Sequence, residues 1–242
     1  MSLNPPFAID DRPWFNMTVH GAGTWFPNQH GWDQQIIGII RRRYREHAEN
    51  VEHKSPLLLP GYGKWKIVQT GRNIADRLNE LEPSEARIRY WGHSRAAEAL
   101  AWALPHLKPG LRIHEAHLIA PACDHRFGPR GNGFNAAFMQ DKIRRLVIYR
   151  AESDWAMTAA KASWMTLGWV KLSFGALGAW ECEDVHPAFC GRVIEVDGFG
   201  AGHCSMLDGK EVLETTAAFV PTVVPGYDAG YLPRRFRYAE AV

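Results

Sequence analysis

Short β-rich runs alternate with longer helical patterns along most of the chain, and this alternation restricts the fold more than any other feature. Residues 16–19 read as a strand ending at the glycines of His20-Gly21-Ala22-Gly23. Residues 34–48 then have helical length, with Ile36, Ile37, Ile40 and Tyr44 on one face. Residues 56–59 read as a short strand closed by Pro60 and Gly61, and 73–81 carry Ile74, Leu78 and Leu81 at helical spacing. The strand pattern at 87–91 leads directly into an Ala- and Leu-rich helical pattern over 94–107, and 117–120, 145–149 and 193–196 supply three further strands. Strands and helices taking turns imply an α/β fold, a mostly parallel sheet with helices on both faces. In such sheets ligands sit beyond the carboxyl ends of the strands. No repeat, low-complexity tract or Pro/Gly-rich linker divides the sequence, so one domain over 1–242 is expected.

That expectation locates a constellation. Gly92-His93-Ser94-Arg95-Ala96 stands where the strand pattern at 87–91 meets the helix after it. A serine on so tight a strand-to-helix turn is held in a strained backbone conformation, and its neighbours two before and two after must be small, as Gly92 and Ala96 are. A serine hydroxyl needs a base, and the base an orienting acid. Asp154 follows the strand pattern at 145–149, and His203 follows 193–196 after the glycine-rich Asp197-Gly198-Phe199-Gly200-Ala201-Gly202. Each residue also has a plain structural reading. Ser94 is a common helix N-cap type, Asp154 could cap a following helix with Glu152 or Asp184 as the acid, and His203 is one of 11 histidines. Cys204 is an alternative nucleophile without an elbow of its own. Three residues in this order on three strand ends favour the triad.

In these residues the chain resembles the α/β-hydrolases, whose nucleophile, acid and histidine come in this order on these loops. The likeness runs from His20 to about Leu207. It is similar, more loosely, to lipase-like and esterase-like members that begin with a strand and an H-G-x-G turn. The resemblance implies a serine hydrolase acting through Ser94, Asp154 and His203, with an oxyanion hole from the backbone amides of Gly21 or Ala22 and of Arg95. It also matches Leu57-Leu58-Leu59-Pro60-Gly61-Tyr62-Gly63 to the strand and glycine turn that precede the helix before the nucleophile. Ala96 replaces the glycine common two residues after the serine, and the little chain before 16–19 implies a sheet shortened at its N-terminus. His20 and His93 flank the site as shaping or substrate-binding residues.

Composition narrows the function classes. Lys plus Arg 28 against Asp plus Glu 26, net +2, gives no concentrated basic excess of the kind nucleic-acid binders carry, and the Arg41, Arg42, Arg43 and Arg45 run reads as a solvated face balanced by Glu46 and Glu49. Four cysteines without C-x-x-C spacing support neither a zinc ribbon nor a redox pair, and Cys182, His186 and Cys190, spaced C-x3-H-x3-C, lack an evident fourth ligand; no metal or cofactor is expected. Asp10 and Asp11 occupy the place of a signal peptide's apolar stretch, which makes the cytoplasm the expected location. The apolar stretch at 161–181 is interrupted by Lys171 and glycines, so no membrane span is expected. Its Trp164, Met165, Leu167, Trp169 and Leu172 read as core, or as a lid or pocket wall with Trp164 and Trp169 toward the substrate. The expected partner is a small-molecule ester with an apolar acyl group. Thioester or amide cleavage by the same triad, or a non-catalytic binding protein on the same fold, are the alternatives.

Overall fold

A computed structural model describes residues 12–20, 32–51, 60–128, 130–150, 158, 162, 165, 175, 177–196 and 236–238. In chain order the elements are β1 (Trp14–Val19), α1 (Trp32–Ile39), β2 (His47–Val51), α2 (Pro60–Asn79), β3 (Arg87–His93), α3 (Ala96–Ala103), β4 (Ile113–Ile119), α4 (Phe134–Met139), β5 (Leu146–Tyr149), β6 (Val193–Val196) and β7 (Phe236–Tyr238). The strands form one sheet in the order β2-β1-β3-β4-β5-β6-β7, parallel from β2 to β6, with β7 antiparallel to β6. Strand β3 lies between β1 and β4, inside the sheet. Helices pack on both faces: α1 reaches one through Asp33, which accepts from Asn50 at 2.7 Å, and α2 the other through Arg77, which holds Glu49 at 2.8 Å. This is the sheet architecture implied by the resemblance to the α/β-hydrolases.

The two faces differ in chemistry. Phe15, Met17 and Val19 of β1, Ile88 and Tyr90 of β3, Ala116 and Leu118 of β4, and Leu146 and Ile148 of β5 share one face and build the main core. Ile67, Ile74, Ala75 and Leu78 of α2 and the alanines of α3 cover them. Helix α2 seats on α3 at Gly71, where a β-carbon would stand 2.6 Å from Trp102 Cβ and 2.8 Å from the Ala99 carbonyl oxygen. Hydrogen at this position is what lets the two backbones approach.

The opposite face carries a buried polar row. Arg89, fully buried, donates from Nε to Glu115 at 3.0 Å and from Nη1 to Glu46 at 3.0 Å and Asn16 at 3.2 Å. Its guanidinium lies 3.8 Å from the centre of the Trp14 ring. Trp91 stacks on His117 at 4.2 Å, and His117 Nδ1 is 3.0 Å from the Tyr149 hydroxyl. Burial lowers the pKa of His117 and raises that of Tyr149, so a neutral ring accepts from the phenol and presents Nε2–H toward Glu115, 3.6 Å away. Burial alone would push the Glu115 carboxyl up, but His117 and Arg89 together hold it down at about 2.

Several elements differ from the sequence expectation. The helix expected over 34–48 ends at Ile39; residues 40–44 make a wider turn, Arg45 adopts φ 54°, and 47–51 form an edge strand, to which Arg41 is tied by donating to the Ala48 carbonyl at 2.6 Å. The apolar spacing of Ile36, Ile37 and Ile40 is helical in period but says nothing of where the α-helix gives way to the wider turn. The helix expected at 73–81 starts at Pro60, so Pro60, Gly61, Tyr62 and Gly63 open a helix rather than a glycine turn. A proline is tolerated in a first helical turn, where its missing N–H has no intrahelical acceptor. The strand expected at 56–59 lies outside the described residues.

The Glu115 carboxylate predicts an acid-stability profile. Because its folded value lies below the ordinary 4.5, the stability it contributes is present above about pH 4.5 and is lost as the pH falls toward 2, on the order of 3 kcal/mol. Urea unfolding of the wild type and of Glu115→Gln across that range is expected to show the wild type losing this increment and the variant lacking that part of the slope.

Candidate active site at the end of β3

Register places the carboxyl ends of four neighbouring strands at one level. His93 pairs with Ile119, Ile119 with Tyr149, and Tyr149 with Val196, so the chain leaves β3, β4, β5 and β6 along a single rim. Ser94 is the first residue beyond β3, whereas Asp154 follows β5 and His203 follows β6 in the chain.

Ser94 has φ 56°, the left-handed region that costs a residue with a β-carbon about 1–2 kcal/mol. It is not a helix N-cap: Arg95 holds that position, and no side chain caps α3. The turn is fastened on both sides. Ser94 N–H donates to the Ile119 carbonyl at 2.9 Å, and the Ser94 carbonyl accepts from Ala97 at 3.2 Å and from Ala122 at 3.0 Å. The small flanking residues have a measurable reason. A β-carbon on Gly92 would stand 2.6 Å from Tyr90 Cε1 and 3.2 Å from Ala96 Cβ, and the Tyr90 hydroxyl donates to the Ala96 carbonyl at 2.8 Å. The Tyr90 ring thus fills the space under the turn and leaves none for a larger residue at 92.

Charge accumulates beside the turn on α3. The Arg95 side chain is 2% exposed, 3.9 Å from Glu98, and Glu98 pairs with Lys64 of α2 at 2.7 Å. Burial pulls the Arg95 guanidinium down to about 10 while Glu98 opposes the shift, so it stays charged at neutral pH. His20, just after β1, meets His93 edge to face with ring centroids 5.7 Å apart, which puts both histidines expected around the site at the rim. His93 is buried.

Of the residues singled out from sequence, Ser94, Arg95, His20 and His93 come together at the end of β3. Asp154, His203, Gly21, Ala22, Trp164 and Trp169 lie outside the described residues, as do Glu152 and Cys204. Asp184 is exposed at φ 57°, with its carboxylate beside Gly128 and its carbonyl accepting from Asn135 at 2.7 Å. His186 accepts from Ala188 at 3.2 Å and so starts a short 3-10 helix, Pro187–Arg192, that includes Cys190. Among the described residues no group of three or more His, Cys, Asp or Glu side chains is gathered to hold a metal ion, and no helix is long and apolar enough to cross a membrane. The contact of Ala122 with the Ser94 carbonyl had no signal in the sequence, because any residue except proline supplies the same N–H.

No protein-family model matches the chain, and no curated protein matches it in sequence. Among solved structures it is similar to an esterase of Pyrobaculum calidifontis, 12% identical with a TM-score of 0.45 over 88% of this chain and 76% of that one. Est1E from Butyrivibrio proteoclasticus is 12% identical, with a TM-score of 0.44 over 86% of this chain and 87% of its own. A thermophilic esterase from Thermogutta terrifontis, with propionate bound, is 13% identical, with a TM-score of 0.44 over 96% and 89%.

The packing under the turn predicts the effect of a single methyl group. Gly92→Ala places a β-carbon against the buried Tyr90 ring and is expected to lower stability by about 1–3 kcal/mol. Thermal melts of Gly92→Ala and of the double variant Gly92→Ala/Tyr90→Leu check this. Removing the ring is expected to return part of the loss caused by the alanine.

Proposed function

We propose that the protein is a serine hydrolase that cleaves carboxylic esters through an acyl-enzyme on Ser94. One observation carries the reading: a serine with φ 56° at the tip of an interior strand, flanked by Gly92 and Ala96 and followed directly by a helix. Strain of this kind persists only where the surrounding structure enforces it, and it concentrates at functional sites. An ordinary capping serine would adopt an extended backbone at no cost.

In this reading Asp154 and His203 complete the triad. His203 accepts the proton of Ser94 Oγ as the oxygen attacks the ester carbonyl carbon, and Asp154 orients the imidazole and stabilises its charged form. The amides of Arg95 and of Gly21 or Ala22 donate to the oxyanion. As the tetrahedral intermediate collapses, His203 returns the proton to the departing alkoxide, which leaves as the alcohol. A water molecule then repeats the sequence at the acyl-enzyme, releasing the carboxylic acid and restoring Ser94. The tryptophans at 164 and 169 wall an apolar acyl pocket. The parts act within one domain and need no metal or cofactor.

A fluorophosphonate reagent reports an activated serine without knowledge of the substrate. It is expected to label Ser94 alone, and Ser94→Ala is expected to abolish both labelling and hydrolysis of p-nitrophenyl acetate. An unlabelled wild-type protein would identify a non-catalytic binding protein instead. Asp154→Asn is expected to fold normally and lose on the order of 10⁴ in kcat, the scale known for replacing the orienting carboxylate of a serine-protease triad. A loss of tenfold or less would move that role to Glu152 or Asp184.

A further inference from the structure

The peptide group between Ser94 and Arg95 is a rigid plane whose C=O and N–H point in opposite directions, and no peptide bond among the described residues is cis. Whatever holds the Ser94 carbonyl therefore aims the Arg95 N–H. The first turn of α3 supplies one donor, Ala97 at 3.2 Å. The second and shorter contact comes from a different part of the chain, the Ala122 N–H at 3.0 Å.

The turn that delivers Ala122 is itself strained and braced. Beyond β4 the chain reverses at Ala120, which has φ 43° and donates to the Tyr149 carbonyl at 2.9 Å. An alanine in the left-handed region is rare, and here it turns the chain back across the elbow instead of away from it. From the other side Gly178 N–H donates to the Pro121 carbonyl at 2.8 Å and Leu177 N–H to the Cys123 carbonyl at 3.0 Å. Gly178 comes so close that a β-carbon there would be 2.9 Å from the Ala120 carbonyl carbon. Ala122 itself is buried with Ala179 and Trp180 packed against it. Three hydrogen bonds and the packing of Ala179 and Trp180 thus fix one amide whose acceptor is the carbonyl of the candidate nucleophile.

We propose that Ala122 is a positioning residue of the active site. Its backbone N–H holds the Ser94–Arg95 peptide plane so that the Arg95 N–H meets the oxyanion as charge develops on it. The inference rests on the serine-hydrolase reading above. Its effect falls on the transition state, because the donor has to match the oxyanion more closely than the ground-state carbonyl.

A one-atom change tests it. Incorporating lactic acid at 122 replaces the N–H by an ester oxygen and keeps the methyl group. Such an ester also weakens the preceding Pro121 carbonyl as an acceptor from Gly178, so glycolic acid at 178, which deletes that donor and leaves the Ala122 N–H in place, is the control. With both variants confirmed as folded by circular dichroism, the ester at 122 is expected to lower kcat for p-nitrophenyl acetate about tenfold or more. KM is expected to stay within about twofold, and affinity for a boronic acid, which mimics the tetrahedral intermediate, to fall with kcat. The ester at 178 is expected to lower the melting temperature and to cost clearly less kcat than the ester at 122, because the Ala120 and Leu177 hydrogen bonds and the packing of Ala179 and Trp180 still hold the amide. Unchanged kcat in the ester at 122, with Ser94 still labelled by fluorophosphonate, overturns the positioning role and leaves the hydrolase reading standing. Equal losses of kcat at 122 and 178 overturn it as well, since the turn would then matter only as packing. A wild-type protein that fluorophosphonate does not label removes the hydrolase reading and the positioning role together.

Discussion

The reversal of the chain at Ser94 is the constraint around which the rest of the molecule is arranged. A residue with a β-carbon is held in the left-handed region between an interior strand and a helix, and such a conformation lasts only while its surroundings allow nothing else. Its surroundings here are Gly92 before it, Ala96 after it, the Tyr90 ring beneath, a hydrogen bond to β4 and another from the turn beyond β4. None of these groups is conspicuous alone. Together they account for a glycine inside a strand, a tyrosine hydroxyl directed at a helical carbonyl, and a helix that begins with alanines.

The division of labour between the sheet's two faces follows from that arrangement. The apolar face presses on α2 and α3, and α3 must lie close enough for its N-terminus to meet the end of β3, which is why its buried positions other than Leu100 are alanines and why α2 carries Gly71 against it. Apolar burial of this kind is the main source of stability, at about 25 cal/mol per Å² removed from water. The other face holds Arg89, Glu115, His117 and Tyr149 in mutual contact. Buried charges stay in place only when paired, and here Arg89 has both Glu46 and Glu115 within reach.

Much of the sheet was legible in the sequence because period-2 patterning and short apolar runs survive as strands. Residues 193–196 form β6 as expected, and β1, β3, β4 and β5 overlap the runs read from Asn16, Arg87, His117 and Arg145. Strand β2 was hidden because His47, Glu49 and Asn50 look like the polar side of a helix; an edge strand needs few apolar residues, and its identity comes from pairing with β1. Strand β4 starts four residues earlier than expected because His114 and Glu115 read as solvent-facing, although Arg89 and the Ile88 amide are their partners inside the protein. The elbow was legible for a different reason, since the demand for small residues on both sides of Ser94 is written into local sequence. The brace at Ala122 was not, because a backbone amide leaves no mark on residue identity.

The polar row also bears on how the strands find their alignment during folding. Aliphatic strands can slide past one another by two residues and still bury their side chains, so a purely apolar parallel sheet discriminates poorly between alignments. Between β3 and β4 the pairing contains an irregularity, with Ile88 opposite Ile113 and Arg89 opposite Glu115; His114 occupies the extra place, and its Nδ1 accepts the Ile88 N–H at 3.0 Å. Sliding β4 by two residues in one direction would set Arg89 across from His117, and in the other from Ile113. Either mistake takes Glu115 from the buried guanidinium and leaves it Glu46 alone, and it buries Glu115 away from Arg89, which is costly in the interior. The ion pair therefore acts as a ratchet tooth, admitting one alignment of the strand that carries the serine against the strand whose turn reaches back to hold it.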